Sequence, residues 1–319
     1  MSRLRIVTIG IVALLSAACG PGGASFAPTA APATAAATQA AVATAAPTAA
    51  PTDDPCLSGP ALATVTVGKL TMGTDNPAFP PYFEGRKGGN TEPWDPDWGD
   101  PTAGNGFESA MAYAIADQLG FSKDLVTWVP IAFNTSFAPG PKDFDIFIGQ
   151  VTFNADRAKN ADLSDGYYFG NQTIVVMADS DFADATKISD FKDAELGAQV
   201  GTTSLATIEE VIKPTAEVGV YNTTDDAIEA MQNGQIDGIV VDLPTASFIT
   251  GVQVEGSKIV GQIGEAAGAE PEHFSLVLEQ GSALTACANQ AITALTDDGT
   301  IDVLTDRWLP FSDTPELQP

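Results

Sequence analysis

The sequence predicts an exported α/β protein whose folded part has two lobes, and three observations carry that expectation. A short apolar leader opens the chain, a low-complexity segment follows, and the remaining ~260 residues alternate strand-like and helix-like segments in two series. A body of that length is enough for one large or two medium domains with a real core.

The leader is residues 1–18, MSRLRIVTIGIVALLSAA, in which Arg3 and Arg5 precede an apolar run and small residues stand directly before Cys19. That is the layout of a secretory signal with a small-residue cleavage site. Its apolar run falls short of the ~20 residues that a spanning helix needs. LSAAC is similar to a bacterial lipobox, which makes Cys19 the expected lipidated first residue; plain secretion is the alternative, because Ser16 stands where leucine is commoner. Residues 19–55 are then almost entirely Ala, Pro, Thr and Gly, with prolines at 28, 32, 47, 51 and 55 that interrupt any helix. This segment reads as an extended tether.

Composition excludes some partners. Fourteen Lys and Arg against 41 Asp and Glu give a formal charge of −27, a poor match for nucleic acid. Once Cys19 is lipidated, Cys56 and Cys287 are the remaining thiols in an oxidising compartment, and they are expected to pair. No P-loop, dinucleotide fingerprint, zinc-ligand spacing or nucleophile motif appears, so no cofactor, metal or catalytic residue is expected. The one histidine, His273, has no evident catalytic partner in the sequence.

The elements follow in order. TVTVGKLTMGTD is a β-rich opening, and GFESAMAYAIADQLG is an amphipathic helix closed by Gly120. DLVTWVPI and FDIFIGQVTF are strands. The pattern then repeats: LGAQVG leads into TTSLATIEEVI, EVGVY into the capped helix TTDDAIEAMQNG, and GIVVDL into ASFITG. Strand followed by helix, several times, predicts largely parallel sheets covered on both faces. Two apolar runs, NQTIVVMA and FSLVLEQGSAL, are long enough to cross between lobes as hinge strands, and LTACANQAITALTDDGT and IDVLTDRWLP return to the first lobe. The expected division is residues 56–174 with 276–311 for lobe 1, 175–275 for lobe 2, and 312–319 for a tail.

Read together, GTDNPAFPPYFEG, GFESAMAYAIADQLG, VTWVPIAF, FDIFIGQVTFNADRAKNADLSDGYY, VGTTS, IDGIVVD and DDGTIDVLTDRWLP resemble the family-3 solute-binding proteins of amino-acid import systems. The resemblance covers most of residues 64–310 and implies the type II periplasmic binding protein fold. Together with the leader, it makes the expected protein a monomeric binding protein held by a lipid anchor at the outer face of the cell membrane. Its partners would be an amino-acid-like ligand and an ABC permease.

The resemblance also assigns a site. Arg157 ends the turn that begins at Thr152, where the family grips a ligand α-carboxylate, and a planar guanidinium holds a carboxylate by two parallel hydrogen bonds. Gly149, Gln150 and Thr152 fall where the family offers further donors. Thr202 and Thr203, at a strand-to-helix junction, are assigned to the same carboxylate or else serve only as a helix cap. Asp242 matches the family's partner for a ligand ammonium at a strand's carboxyl end, with helix capping as its other reading. Phe79 and Phe133 stand where the family stacks rings on the ligand, or they are simple core. Asp75 meets the ligand's distal group or only fixes a turn.

Between Glu84 and Gly106 the sequence departs from the family with RKGGNTEPWDPDWGDPTAGN. Trp94 and Trp98 make a lid one reading of this loop, Asp95, Asp97 and Asp100 make a hard cation another, and surface elaboration is the third. The stretch FNTSFAPGPK also breaks a helix usual in the family, at Pro139 and Pro141. An enzyme of the same fold, or a sensor without transport, is the functional alternative.

Overall fold

Two five-stranded sheets carry the alternation of strand and helix. The computed structural model describes residues 54–264, 270–310 and 314–319; the leader, Cys19 and the tether up to residue 53 lie outside the described residues. The first sheet has the order β2–β1–β3–β10–β4, built from β1 (Leu70–Thr74), β2 (Val126–Pro130), β3 (Ile146–Phe147), β4 (Ala161–Phe169) and β10 (His273–Glu279). The second has the order β7–β6–β8–β5–β9, from β5 (Gln172–Met177), β6 (Leu196–Gln199), β7 (Gly219–Tyr221), β8 (Gly238–Asp242) and β9 (Ser257–Ile263).

Each sheet is parallel only in its first three strands. In the first sheet β10 runs antiparallel to β3 and β4; in the second β5 runs antiparallel to β8 and β9. The expectation of largely parallel sheets is corrected to this extent, and the two apolar runs are the reason. Each enters a sheet from the other lobe, opposite to the direction that a strand–helix–strand repeat imposes. The crossings lie just before them, at Gly170 and Asn171 and, on the return, at Glu272. They run side by side, since the Gly170 amide donates to the Glu272 carbonyl at 3.2 Å and His273 pairs with Phe169.

The continuous apolar character of β5 follows from burial on both faces. Ile174 and Val176 join the cluster of Phe191, Leu196 and Ile208, whereas Val175 joins that of Ile228, Met231 and Ile239. In the first lobe, α1 (Phe107–Gln118) presents Met111 and Ile115 to Leu70, Met72 and Leu276. Helices α6 (Thr285–Asp297) and α7 (Thr300–Trp308) pack on α1 and complete that core. Between them in sequence come α2 (Phe133–Ser136), α3 (Thr203–Thr207), α4 (Thr224–Gln232) and α5 (Leu243–Phe248).

Cys56 and Cys287 are joined, with Cα atoms 5.1 Å apart and 231 residues between them in sequence. Residues 314–319, expected as a tail, lie on the second lobe: Glu316 pairs with Gln262, Gln318 pairs with Lys187, and Leu317 is buried against the cluster of Ile174 and Ile263.

Candidate functional site

A cleft of ≈ 110 Å³ opens between the two sheets. One water needs roughly 10–15 Å³ by the same measure, so the space suits a small solute. All ten residues expected around a ligand line this cleft: Asp75, Phe79, Phe133, Gly149, Gln150, Thr152 and Arg157 from the first lobe, and Thr202, Thr203 and Asp242 from the second. Trp94 and Trp98 do not line it.

Arg157 is held by the turn before it. The Asn154 side chain accepts from the amides of Asp156 and Arg157 at 2.7 and 3.2 Å, which bends the chain so that the guanidinium points inward. The side chain is 6% exposed and donates from Nη1 to the Thr152 carbonyl at 2.5 Å and from Nη2 to the Gly201 carbonyl of the other lobe at 2.7 Å. The Phe137 ring lies 4.5 Å from its Cζ and the Phe133 ring 5.5 Å. Burial lowers its pKa to about 10, against the opposing field of Glu272, so the group is still charged at neutral pH. A guanidinium has five N–H donors, and these two bonds leave capacity for a bound carboxylate.

Gly149 and Gln150 are placed from below. Gln150 has φ of 51°, in the left-handed region that a non-glycine residue seldom adopts. Glu108, in the first turn of α1 and 0% exposed, accepts from the Gln150 amide at 2.7 Å, from the Gln150 side-chain amide, and from the Tyr167 hydroxyl at 2.5 Å. Burial raises the Glu108 carboxyl to about 7, although these bonds favour its ionised form.

The second lobe has already committed several of its polar groups. The Thr202 hydroxyl accepts from the Leu205 amide at 3.1 Å and donates to the Gln199 carbonyl at 2.7 Å, so it caps α3. Thr203 donates to Glu272 at 2.8 Å. Asp242 caps α5, accepting from the Thr245 amide and hydroxyl at 2.9 and 2.8 Å, and it accepts from the Tyr82 hydroxyl across the cleft. Burial raises the Asp242 carboxyl above its ordinary value. In this arrangement Asp242 serves both as a helix cap and as an acid facing the cleft.

Asp75 fixes its turn, accepting from the amides of Asn76 at 2.8 Å and Phe133 at 3.3 Å, and it still faces the cleft. Asp225, which the sequence reading did not single out, lines the same space and accepts from the Gln253 side chain at 2.8 Å. Burial raises both carboxyls. Above them Trp98 sits edge-on to Phe79 of the first lobe, centroids 5.0 Å apart, and to Phe248 of the second at 6.4 Å.

The loop that carries Trp98 is tied to itself and to the first lobe. Asn90 donates to the carbonyls of Trp98, at 2.8 Å, and Asp95, while the side chain of Asn76 donates to the Pro93 carbonyl at 3.0 Å. Trp94 is 4% exposed and anchors the loop. Asp100, 0% exposed, accepts from Arg86 Nε at 3.0 Å and the amides of Thr91 and Thr102 at 2.8 and 2.9 Å. Asp100 is thus engaged within the loop, and among the described residues no group of three acidic, histidine or cysteine side chains is placed to hold a metal.

The match to a family model decides what this architecture is. Residues 70–311 match the model for bacterial extracellular solute-binding proteins, family 3. The chain belongs to that family. Among similar proteins, the ABC transporter arginine-binding protein 1 of Escherichia coli (strain K12) is 26% identical over 214 residues, covering 64% of this chain and 82% of that protein. The arginine-binding extracellular protein ArtP of Bacillus subtilis (strain 168) is 25% identical over 248 residues, 75% of this chain and 86% of that one. Solved structures include an ancestral arginine-binding protein bound to arginine, at TM-score 0.60 and 25% identity over 76% of this chain and 98% of that chain. An ancestral arginine-binding protein bound to glutamine aligns at TM-score 0.61 and 26% identity, over 76% of this chain and 99% of that chain. The two-lobed fold is therefore that of the type II periplasmic binding proteins.

Several residues in or beside the cleft escaped the sequence reading. Tyr82 lies inside the quoted PPYF segment but reads as core, and its bond to Asp242 spans 160 residues. Gln172, Phe248 and Glu272 carry no local signal, because each acts through a contact with a distant segment.

Proposed function

We propose that this protein is the extracytoplasmic substrate-binding lipoprotein of an ABC importer and takes an α-amino acid with a cationic side chain. It is held to the outer face of the cell membrane through Cys19 and delivers its ligand to a membrane permease. Arg157 carries the reading: a charged guanidinium, buried between the lobes and bonded to both, needs an anion to complete its coordination, and an α-carboxylate matches its planar donors.

Other groups extend the proposal. Asp242 receives the ligand ammonium, with Tyr82 holding the carboxylate in place. Asp75 and Asp225 supply acids for a distal cation, and the rings of Phe79 and Phe133 flank its stem, with Trp98 packed against Phe79. Two of the similar proteins bear names that specify arginine. Binding closes the lobes because the ligand has more partners in the closed state than in the open one.

A thermal-shift panel tests this directly, since a ligand that binds only the native state raises the melting temperature. L-arginine, L-lysine or L-histidine should raise it and D-isomers should not; a flat response to every amino acid would exclude the reading. Replacing Cys19 by serine should release the protein from membranes into the medium; unchanged membrane retention would remove the lipid anchor from the proposal.

A further inference from the structure

The hydroxyls of Thr152 and Thr203 form a partition. One side is the cleft; the other is a groove on the hinge side that Glu272, Phe153 and Phe169 help to line. Glu272 reaches the partition from the groove. Its Oε1 accepts from Gln172 Nε2 at 2.7 Å, Thr203 Oγ1 at 2.8 Å and Thr152 Oγ1 at 3.1 Å. Thr152 belongs to the first lobe, while Gln172 and Thr203 belong to the second. One carboxylate oxygen thus gathers donors from both lobes, beside the place where the chain crosses back. Burial raises this carboxyl above its ordinary value, while the three bonds favour its ionised form.

A hydroxyl has one proton to give. When Thr152 and Thr203 give theirs to Glu272, neither can donate to a second carboxylate in the cleft. The chain therefore presents its own acid to two of the groups that the family uses for a ligand acid. We infer that Glu272 is a specificity-determining residue, an internal competitor that occupies the hydroxyl donors of the α-carboxylate site and leaves Arg157 as its principal grip. The inference rests on the amino-acid reading above. Its consequence is weak discrimination: the natural protein should distinguish an amino acid from its α-carboxamide less sharply than a protein without this acid.

Calorimetry with L-arginine, L-lysine, L-histidine and L-glutamine, each beside its α-carboxamide, tests this on the full chain. The quantity read is the ratio of the two dissociation constants, amide over acid, which cancels any change in lobe closure common to both ligands. In Glu272→Ala the ratio should rise at least roughly tenfold, since a hydrogen bond to a charged group is restored. In Glu272→Ala combined with Thr152→Val and Thr203→Val it should fall back towards the natural value. Glu272→Gln, which preserves side-chain volume, should give a smaller rise in the same direction. An unchanged ratio in Glu272→Ala and Glu272→Gln, or a rise that persists without the two hydroxyls, would overturn the inference and leave the amino-acid function standing. Failure of every amino acid to bind the natural protein would overturn the function, and this inference with it.

Discussion

At the scale of single residues, the cleft combines one buried cation with several acids that burial holds towards their neutral forms. Tyr82 donates to Asp242 from the opposite lobe, so replacing it by phenylalanine should weaken amino-acid binding by roughly tenfold, the loss of about one bond to a charged group. Titration of the mutant with the natural ligand checks this; unchanged affinity would show that the bond does not support the closed form. Glu108 makes a pH-dependent contribution of known sign. Its folded-state pKa of about 7 lies above the ordinary 4.5, so the folded protein holds an extra proton between those values. The associated stability is fully present below pH ~4.5 and is lost as pH rises through ~7. The stability difference between the natural protein and Glu108→Gln should fall across that window by up to roughly 3 kcal/mol, at about 1.4 kcal/mol per unit. Denaturant titrations at several pH values measure it. Arg157 was legible in the sequence because it ends a motif in a chain poor in cations. Tyr82 and Glu272 were not, because their partners lie 160 and 69 to 120 residues away.

At the scale of elements, the strands and helices followed from apolar periodicity and caps, including the capping box that starts α4. The direction of β5 and β10 did not, because a run buried on both faces looks alike in either orientation. The inserted loop was recognised as a departure, yet its three readings could be separated only by contacts. Asp100 turned inward as the loop's hydrogen-bond centre, Trp94 became its anchor, and Trp98 reached Phe248 of the other lobe. Trp98→Ala should therefore release ligand about tenfold faster with little change in melting temperature, since it removes an aromatic contact across the closed cleft. Asp100→Ala should do the reverse, destabilising the fold by roughly 1–3 kcal/mol through unsatisfied buried donors. Stopped-flow release and thermal denaturation of the two mutants distinguish these roles; equal kinetic effects would deny the loop its division of labour.

At the scale of the whole molecule, two devices close the first lobe on itself. The chain returns through α6 and α7, and the Cys56–Cys287 bond ties its amino end to α6 across 231 residues. The chain-entropy model gives about 5 kcal/mol for so long a loop and less in practice, so Cys56→Ser with Cys287→Ser should lower stability by roughly 2–5 kcal/mol while ligand affinity persists. The central claim concerns the junction between the lobes. If the protein is an amino-acid clamp, Arg157 joins the lobes through the ligand carboxylate, and calorimetry on the natural protein and Arg157→Ala tests this most directly. A cationic L-amino acid should bind the natural protein and lose roughly 3–5 kcal/mol of affinity in the mutant, whose thermal unfolding stays cooperative. Equal affinity in the two proteins would contradict the account.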